Sequence, residues 1–212
     1  MIHKLEKRQF SLLFLIAIIS FAFQGCAPVF SELQSARTVG KNRLDVTPSF
    51  SSVGSPNDGT SDAVQYHFGA QVAYGITEKI DIRSRYERVW LNDDATGFGL
   101  NVFGLGPKFG IIKDRVAIYL PVGVSFGEDG IGNTQFHPTL LLSLPAIKDK
   151  LEFTLAPKYL IGEGDNLFAL NFGASFSKNL NSWAVRAEYG LLYGEESVFG
   201  QFSVGFTKAF GL

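Results

Sequence analysis

From about residue 42 almost to the last residue, apolar side chains recur at every second position, in run after run. Val64, Tyr66, Phe68, Ala70, Val72 and Tyr74 share one face of such a run, and Gln65, His67, Gly69, Gln71, Ala73 and Gly75 share the other. Ile80, Ile82, Ser84, Tyr86 and Trp90 alternate in the same way with Asp81, Arg83, Arg85 and Glu87, and the stretches 116–126 and 168–176 repeat the pattern. A period of two puts successive side chains on opposite faces of a strand, whereas a helix needs apolar spacings of three and four. Ten runs can be drawn, at about 43–51, 63–76, 80–91, 98–112, 115–127, 134–145, 150–162, 166–177, 183–194 and 199–210. The chain is therefore all-β and antiparallel throughout. One run changes parity, with Phe98, Leu100 and Val102 on one face and Phe103, Leu105, Phe109 and Ile111 on the other, so a bulge is expected near Val102–Phe103.

Composition removes several classes. Of 212 residues 46% are hydrophobic and only 18% charged, which is too apolar for a disordered chain. A single cysteine excludes a disulfide scaffold, and a formal net charge of −1 supplies no basic footprint for nucleic acid. No G-x-S-x-G and no zinc-ligand spacing occurs, and no cofactor is implied.

The non-apolar face decides which side of the sheet meets water. A soluble barrel of the lipocalin kind would carry Lys and Glu outside, but here that face is largely Gly, Ala, Ser, Thr, Asn and Gln. Small polar side chains suit a narrow interior, which leaves the apolar face outside. Runs of this length match strands that cross a membrane with about 9–11 tilted residues. Aromatic residues sit near the ends of the apolar face: Phe50, Tyr66, Trp90, Phe126, Phe136, Phe168 and Tyr193 at one end, and Tyr74, Phe176, Trp183 and Phe206 at the other. Arg88 and Lys208 are the charged exceptions on that face, each near an end, where a long side chain can reach the headgroups.

The connections alternate as well. Loops at 52–62, 92–97, 128–133, 163–165 and 195–198 hold, with their edges, Asp58, Asp62, Asp93, Asp94, Glu128, Asp129, Glu163, Asp165, Glu195 and Glu196, and neither Lys nor Arg. The tight turns near 77–79, 113–115, 146–150 and 178–182 carry Lys79, Lys113, Arg115, Lys148, Lys150 and Lys178 against three acids. Long loops at one end, short turns at the other and a last strand running from Phe202 to Phe210 resemble the bacterial outer-membrane β-barrel proteins, without matching one named family. The resemblance implies a closed antiparallel up-and-down transmembrane β-barrel of about ten strands over residues 42–212. It also implies acidic loops outside the cell, both termini periplasmic, and outer-membrane lipids and other envelope proteins as partners.

The first residues read as an address. Lys4, Lys7 and Arg8 precede an apolar stretch from Phe10 to Phe23 broken only by Ser11 and Ser20, the pattern of a signal peptide over residues 1–25. Phe23-Gln24-Gly25-Cys26 is similar to the lipobox of bacterial lipoproteins. That similarity implies cleavage behind Gly25 and lipid attachment at Cys26, and Ala27, in place of an Asp, implies sorting to the outer membrane. Residues 26–41 are then a lipidated N-terminus followed by a periplasmic linker or a short plug, because no period organises them.

The charges on the inward parity carry the functional expectation. Asp81, Arg83, Arg85 and Glu87 line one run, and Lys108, Glu152, Lys158, Arg186 and Glu188 line others, five bases and four acids in all. Buried charges persist when paired, so these nine are expected to form a network that plugs the bore, with Arg83 and Arg85 bonded to Glu87, Glu152 and Glu188. A structural or interaction role is the expectation; the alternative is a narrow channel or transporter for a small solute. Some ten-strand outer-membrane barrels are proteases with an Asp pair and an Asp–His pair at the rim, and Asp93, Asp94 and His137 occupy such a rim. No acid lies close to His137 in sequence to orient it as a general base, so enzyme activity is not expected.

Overall fold

The structure, a computed structural model of the chain, describes residues 29–54, 63–91, 99–127, 130–162, 166–194 and 198–211. Its strand segments are β1 (Arg43–Gly54), β2 (Ala63–Gly75), β3 (Ile80–Leu91), β4 (Gly99–Ile112), β5 (Val116–Tyr119), β6 (Val122–Gly127), β7 (Gly130–Phe136), β8 (Thr139–Ile147), β9 (Leu151–Gly162), β10 (Leu167–Phe176), β11 (Trp183–Tyr193) and β12 (Val198–Gly211). β5 and β6 form a single stave interrupted at Leu120-Pro121, and β7 and β8 another interrupted at His137-Pro138, so the staves number ten. Each interruption falls at a proline, which has no N–H to give to a ladder. The sheet runs on around both: Leu120 N–H donates to the Pro107 carbonyl at 3.0 Å, and His137 N–H to the Pro121 carbonyl at 2.9 Å.

Every stave pairs antiparallel with its neighbour in sequence, and β12 returns to β1, with Arg43 opposite Gly211 and Gly54 opposite Gly200. Closure leaves no edge, so every stave has a ladder partner on both sides. Tight turns gather at one end, where Asn42, Asp114 and Asp149 adopt positive φ of 56°, 58° and 56°. Asn and Asp tolerate that left-handed conformation better than other residues with a Cβ. The other connections, of varied length, lie at the opposite end. Their acidic residues, from Asp58 to Glu196, lie outside the described residues.

The bulge expected near Val102–Phe103 is absent. β3 and β4 pair without irregularity from Ile80 opposite Phe109 to Trp90 opposite Gly99, and the register shift falls instead between Gly110 and Ile112. Leu100 and Val102 simply face inward, on the parity of Gly104, Gly106 and Lys108. The bore is partly apolar toward the loop end, where Val53, Val89, Leu160 and Leu192 are also buried inside it beside Gln65 and Gln201. Apolar character therefore stops marking the outer face there, and the sequence pattern slipped without a slip in the chain. Phe98 lies outside the described residues.

The two faces invert the usual arrangement of a globular protein. Phe68, Tyr86, Phe172 and Phe202 stand exposed on the outside, while Ser, Thr, Gln and charged side chains are buried inside. Outer aromatics stack toward the ends, Phe50 on Tyr66 and Phe168 on Tyr193 near the loops, and Trp183 on Phe206 near the turns. A face of this kind is stable against hydrocarbon, and its ladder leaves no backbone group for lipid to strand. Phe172 lies near the middle of β10, opposite Leu155 and Tyr189. Phe172→Arg is expected to cost about 2–4 kcal/mol in reversible urea unfolding from lipid vesicles; unchanged stability would mean that this face does not meet hydrocarbon.

Candidate functional site

The nine charges singled out by parity all project into the bore. Asp81, Lys108 and Glu152 are wholly buried, and Glu87, Lys158, Glu188, Arg83 and Arg186 nearly so. The Arg85 side chain retains 12% exposure. Asp45, on the inward parity of Thr47, Ser49 and Ser51, is a fifth acid that the sequence count omitted. With it, five bases face five acids.

These charges do not meet mainly one another. They meet the chain segment that precedes β1. Val29 to Ala36 and Val39 are buried within the barrel, and only a tenth of the Arg37 side chain is exposed. Phe30 is enclosed by Val53, Leu160, Ala169 and Leu192, with Leu167 and Phe199 packed against the group, all at the loop end. Gly190 makes room for it: a Cβ there would lie 3.0 Å from the Phe30 ring and 2.0 Å from the Asn171 amide oxygen. Ala36 packs with Ala117, Tyr119, Leu141 and Ala156 further down. Arg37 reaches the turn end, 3.5 Å from Asp114 and 3.0 Å from Asp149. Gly40, at φ 89°, passes so close to β2 that a Cβ on Gly75 would sit 1.8 Å from its carbonyl oxygen. Asn42 then donates its N–H to the Gly75 carbonyl at 2.9 Å and the chain reverses into β1.

The segment thus descends from the loop end to the turn end, antiparallel to β1. Of the two sequence expectations for residues 26–41, its described part behaves as a plug rather than a periplasmic linker. The N-terminal residues on which the expectation of two periplasmic termini turns lie outside the described residues. Gly211 lies at the turn end opposite Arg43, but Val29 and Phe30 lie at the loop end. A short stretch without a period carries no trace of the direction in which it will run.

The plug is held chiefly by its backbone. Gln201 Oε1 accepts the N–H groups of Phe30 and Ser31 at 3.4 and 3.2 Å. The two oxygens of Glu188 accept those of Glu32 at 2.6 Å and Leu33 at 2.8 Å. Leu33 turns there through the left-handed region at φ 47°, and the two successive N–H groups end on one carboxylate. Ser143 Oγ accepts the Ala36 N–H at 2.8 Å, and Asp81 accepts that of Val39 at 3.0 and 3.1 Å. The carbonyls are met by donors of opposite character. Lys158 and Asn171 reach the Phe30 carbonyl at 3.1 and 2.7 Å, and Gln71 and Arg85 reach that of Glu32 at 2.9 and 3.3 Å. Lys108 donates to the Ser35 carbonyl at 2.7 Å and to that of Arg37.

Two plug side chains complete the charge pairing. Glu32 is 2.5 Å from Lys158, and Arg37 Nε donates to Glu152 at 2.7 Å. Arg83 and Arg85 point inward as expected, but their acidic partners differ in part. Arg85 lies 3.3 Å from Glu87 and Arg83 3.8 Å from Asp81, both within β3. Glu188 and Glu152 face the plug instead, with Arg186 3.9 Å from Glu152. The reason is distance: a chain occupying the middle of the bore is nearer to each wall than the opposite wall is. His67 sits 3.5 Å from Glu87 and 3.1 Å from Gln65, and His137 Nε2 lies 3.0 Å from Gln135 Oε1. Asp93, Asp94 and Cys26 lie outside the described residues.

Glu32 and Arg37 were missed at the sequence level, as were the amides Gln71, Asn171 and Gln201. The available signal was a strip of inward amides with no partner in view; the one unmatched base of the inward set is matched by Asp45.

No family model matches the chain, and no curated protein matches it. Among solved structures it is similar to the N-terminal β-barrel domain of OprF from Pseudomonas aeruginosa, at 10% identity over 81% of this chain and 99% of that one, with a TM-score of 0.38. The attachment invasion locus protein Ail of Yersinia pestis gives 12% identity, 80% and 99% coverage and a TM-score of 0.40. The translocator domain of the autotransporter NalP from Neisseria meningitidis gives 11%, 96% of both chains and 0.41.

Glu188→Ala removes the acceptor of two plug amides and leaves them buried without a partner, at about 1–3 kcal/mol for each group. The variant is expected to unfold at lower urea concentration than the wild type, and Glu188→Gln, which keeps one acceptor oxygen, should lose less. Equal stability of all three proteins would show that the carboxylate does not hold the segment.

Proposed function

We propose that the chain is an outer-membrane β-barrel of the cell envelope, processed as a lipoprotein at Cys26, whose bore is closed to solutes by its own N-terminal segment and whose role is structural or one of interaction. The observation that carries this reading is the filled bore. Apolar packing surrounds Phe30 at the loop end, and Arg37 contacts acids of two turns and of β9 at the turn end. A bore of ten staves lies near the size that side chains can fill, and here a peptide strand occupies its centre.

The outer membrane is favoured by the inverted faces, and an outside position for the loops by their length and their acidic residues. Lipid attachment is favoured by the residues that lead to Cys26. A catalytic role has less support: the described contact of His137 is an amide oxygen, which supplies no second titrating group.

Planar-bilayer recording on the purified, refolded protein tests the closed bore. The wild type is expected to carry little steady current. Replacing residues 29–39 with a Gly/Ser stretch of equal length removes Phe30, Glu32 and Arg37, and is expected to raise the current. Arg83→Ala, which removes a contact to Asp81 within β3 and none of the described bonds to the plug, should stay near the wild-type level. A large and steady wild-type current would contradict the proposal and favour the narrow channel.

A further inference from the structure

We infer that the chain is threaded outward through its own barrel, so that the residues ahead of Val29 are presented on the same side of the membrane as the long acidic loops. The inference rests on the outer-membrane reading, with loops outside, and adds to it the side on which the N-terminal end and its lipid-modification site are found.

Direction is fixed by the contacts at the two ends of the plug. Phe30 lies among Val53, Leu160 and Leu192 at the loop end, and Arg37 lies among Asp114, Asp149 and Glu152 at the turn end. The chemistry of the segment matches that of the bore only in this orientation. Reversed, Arg37 would exchange the three acids of the turn end for the aliphatic cluster and the amides around Phe30, and Phe30 would meet the acids of the turns; a buried charge without its counter-charge is strongly destabilising.

Reach then places what precedes. Cys26 lies three residue steps before Val29, and extended chain spans at most ~3.6 Å per residue, about 11 Å in all. A stave of twelve residues such as β9 is ~40 Å long, or about 28 Å of height when tilted by about 45°. Cys26 therefore cannot return to the turn end while Val29 stays at the loop end. Acyl chains on it would meet the leaflet on the loop side.

Threading also constrains assembly. The β1–β12 ladder is continuous, and the plug bonds to side chains from most of the staves around it. A segment gripped along its length inside a closed ladder is enclosed as the barrel closes, rather than inserted afterwards.

The test uses the full chain in cells. Cys26 is the only cysteine, and acylation of its sulfur leaves Pro28→Cys as the only free thiol. Ser61→Cys reports the loop side and Gly211→Cys the turn side. With a membrane-impermeant maleimide, Pro28→Cys and Ser61→Cys are expected to label as fully in intact cells as after lysis, and Gly211→Cys only after lysis. Labelling of Pro28→Cys only after lysis, while Ser61→Cys labels in intact cells, would overturn the threading and leave the membrane reading standing. Failure of Ser61→Cys itself in intact cells would overturn both. Should Pro28→Cys be shielded even after lysis, a short epitope between Ala27 and Pro28 decides: antibody binding to intact cells is expected, and binding only after lysis overturns the inference.

Discussion

A barrel that turns its apolar face outward must satisfy its polar face inward, and here it does so largely by hydrogen bonding to a strand of peptide. Buried donors and acceptors cost about 1–3 kcal/mol when left unmade. Glu188, Asp81, Lys108 and Gln201 each find a backbone group of the plug at hydrogen-bonding distance. The peptide is suited to the task because it alternates donors and acceptors along its length. A wall with as many acids as bases can therefore grip both kinds of group.

The two ends of the plug are sealed by different physics. Near the loops the closure is apolar, with Phe30 in a collar of aliphatic side chains. Near the turns it is ionic, with Arg37 shared among Asp114, Asp149 and Glu152. Removing Glu152, the buried partner, belongs to the class of changes that cost about 3–5 kcal/mol. The pairs with the part-exposed Asp114 and Asp149 count for much less, and the apolar end loses packing in proportion to the area exposed. Between them Leu33 departs from extended geometry, and Glu188 holds the departure by accepting the N–H groups of Glu32 and Leu33, one on either side of the Glu32 Cα. These contacts give the segment both a direction and a register within the bore.

Most of the barrel was legible in the sequence because its period survives in every stave. Asp81, Arg83, Arg85 and Glu87 could be placed inward from the apolar residues that flank them, and the same parity placed Lys108, Glu152, Lys158, Arg186 and Glu188. The misplaced bulge at Val102 shows where that method weakens. It relies on a wholly polar bore, and toward the loop end the bore also holds Val53, Val89, Leu160 and Leu192. The plug was illegible for a different reason: Ser31, Gln34 and Ser35 are buried polar residues in a stretch with no period, indistinguishable by composition from a solvated linker. Its partners could not be assigned either, since hydrogen bonds to backbone leave no mark on the identity of the residue that receives them. The surplus of one base over the acids placed inward was no trace of the plug, since Asp45 accounts for it by itself; the unpartnered inward amides Gln71, Asn171 and Gln201 were.

Amide hydrogen exchange at Glu32 and Leu33 in the folded, full-length protein tests the gripped plug most directly. Their N–H groups are bound by Glu188 inside a closed barrel, so protection comparable to that of amides in the middle of β2 or β11 is expected. Exchange at the rate of an unstructured peptide would show that the segment is free of the bore, and the plugged, threaded barrel would have to be given up.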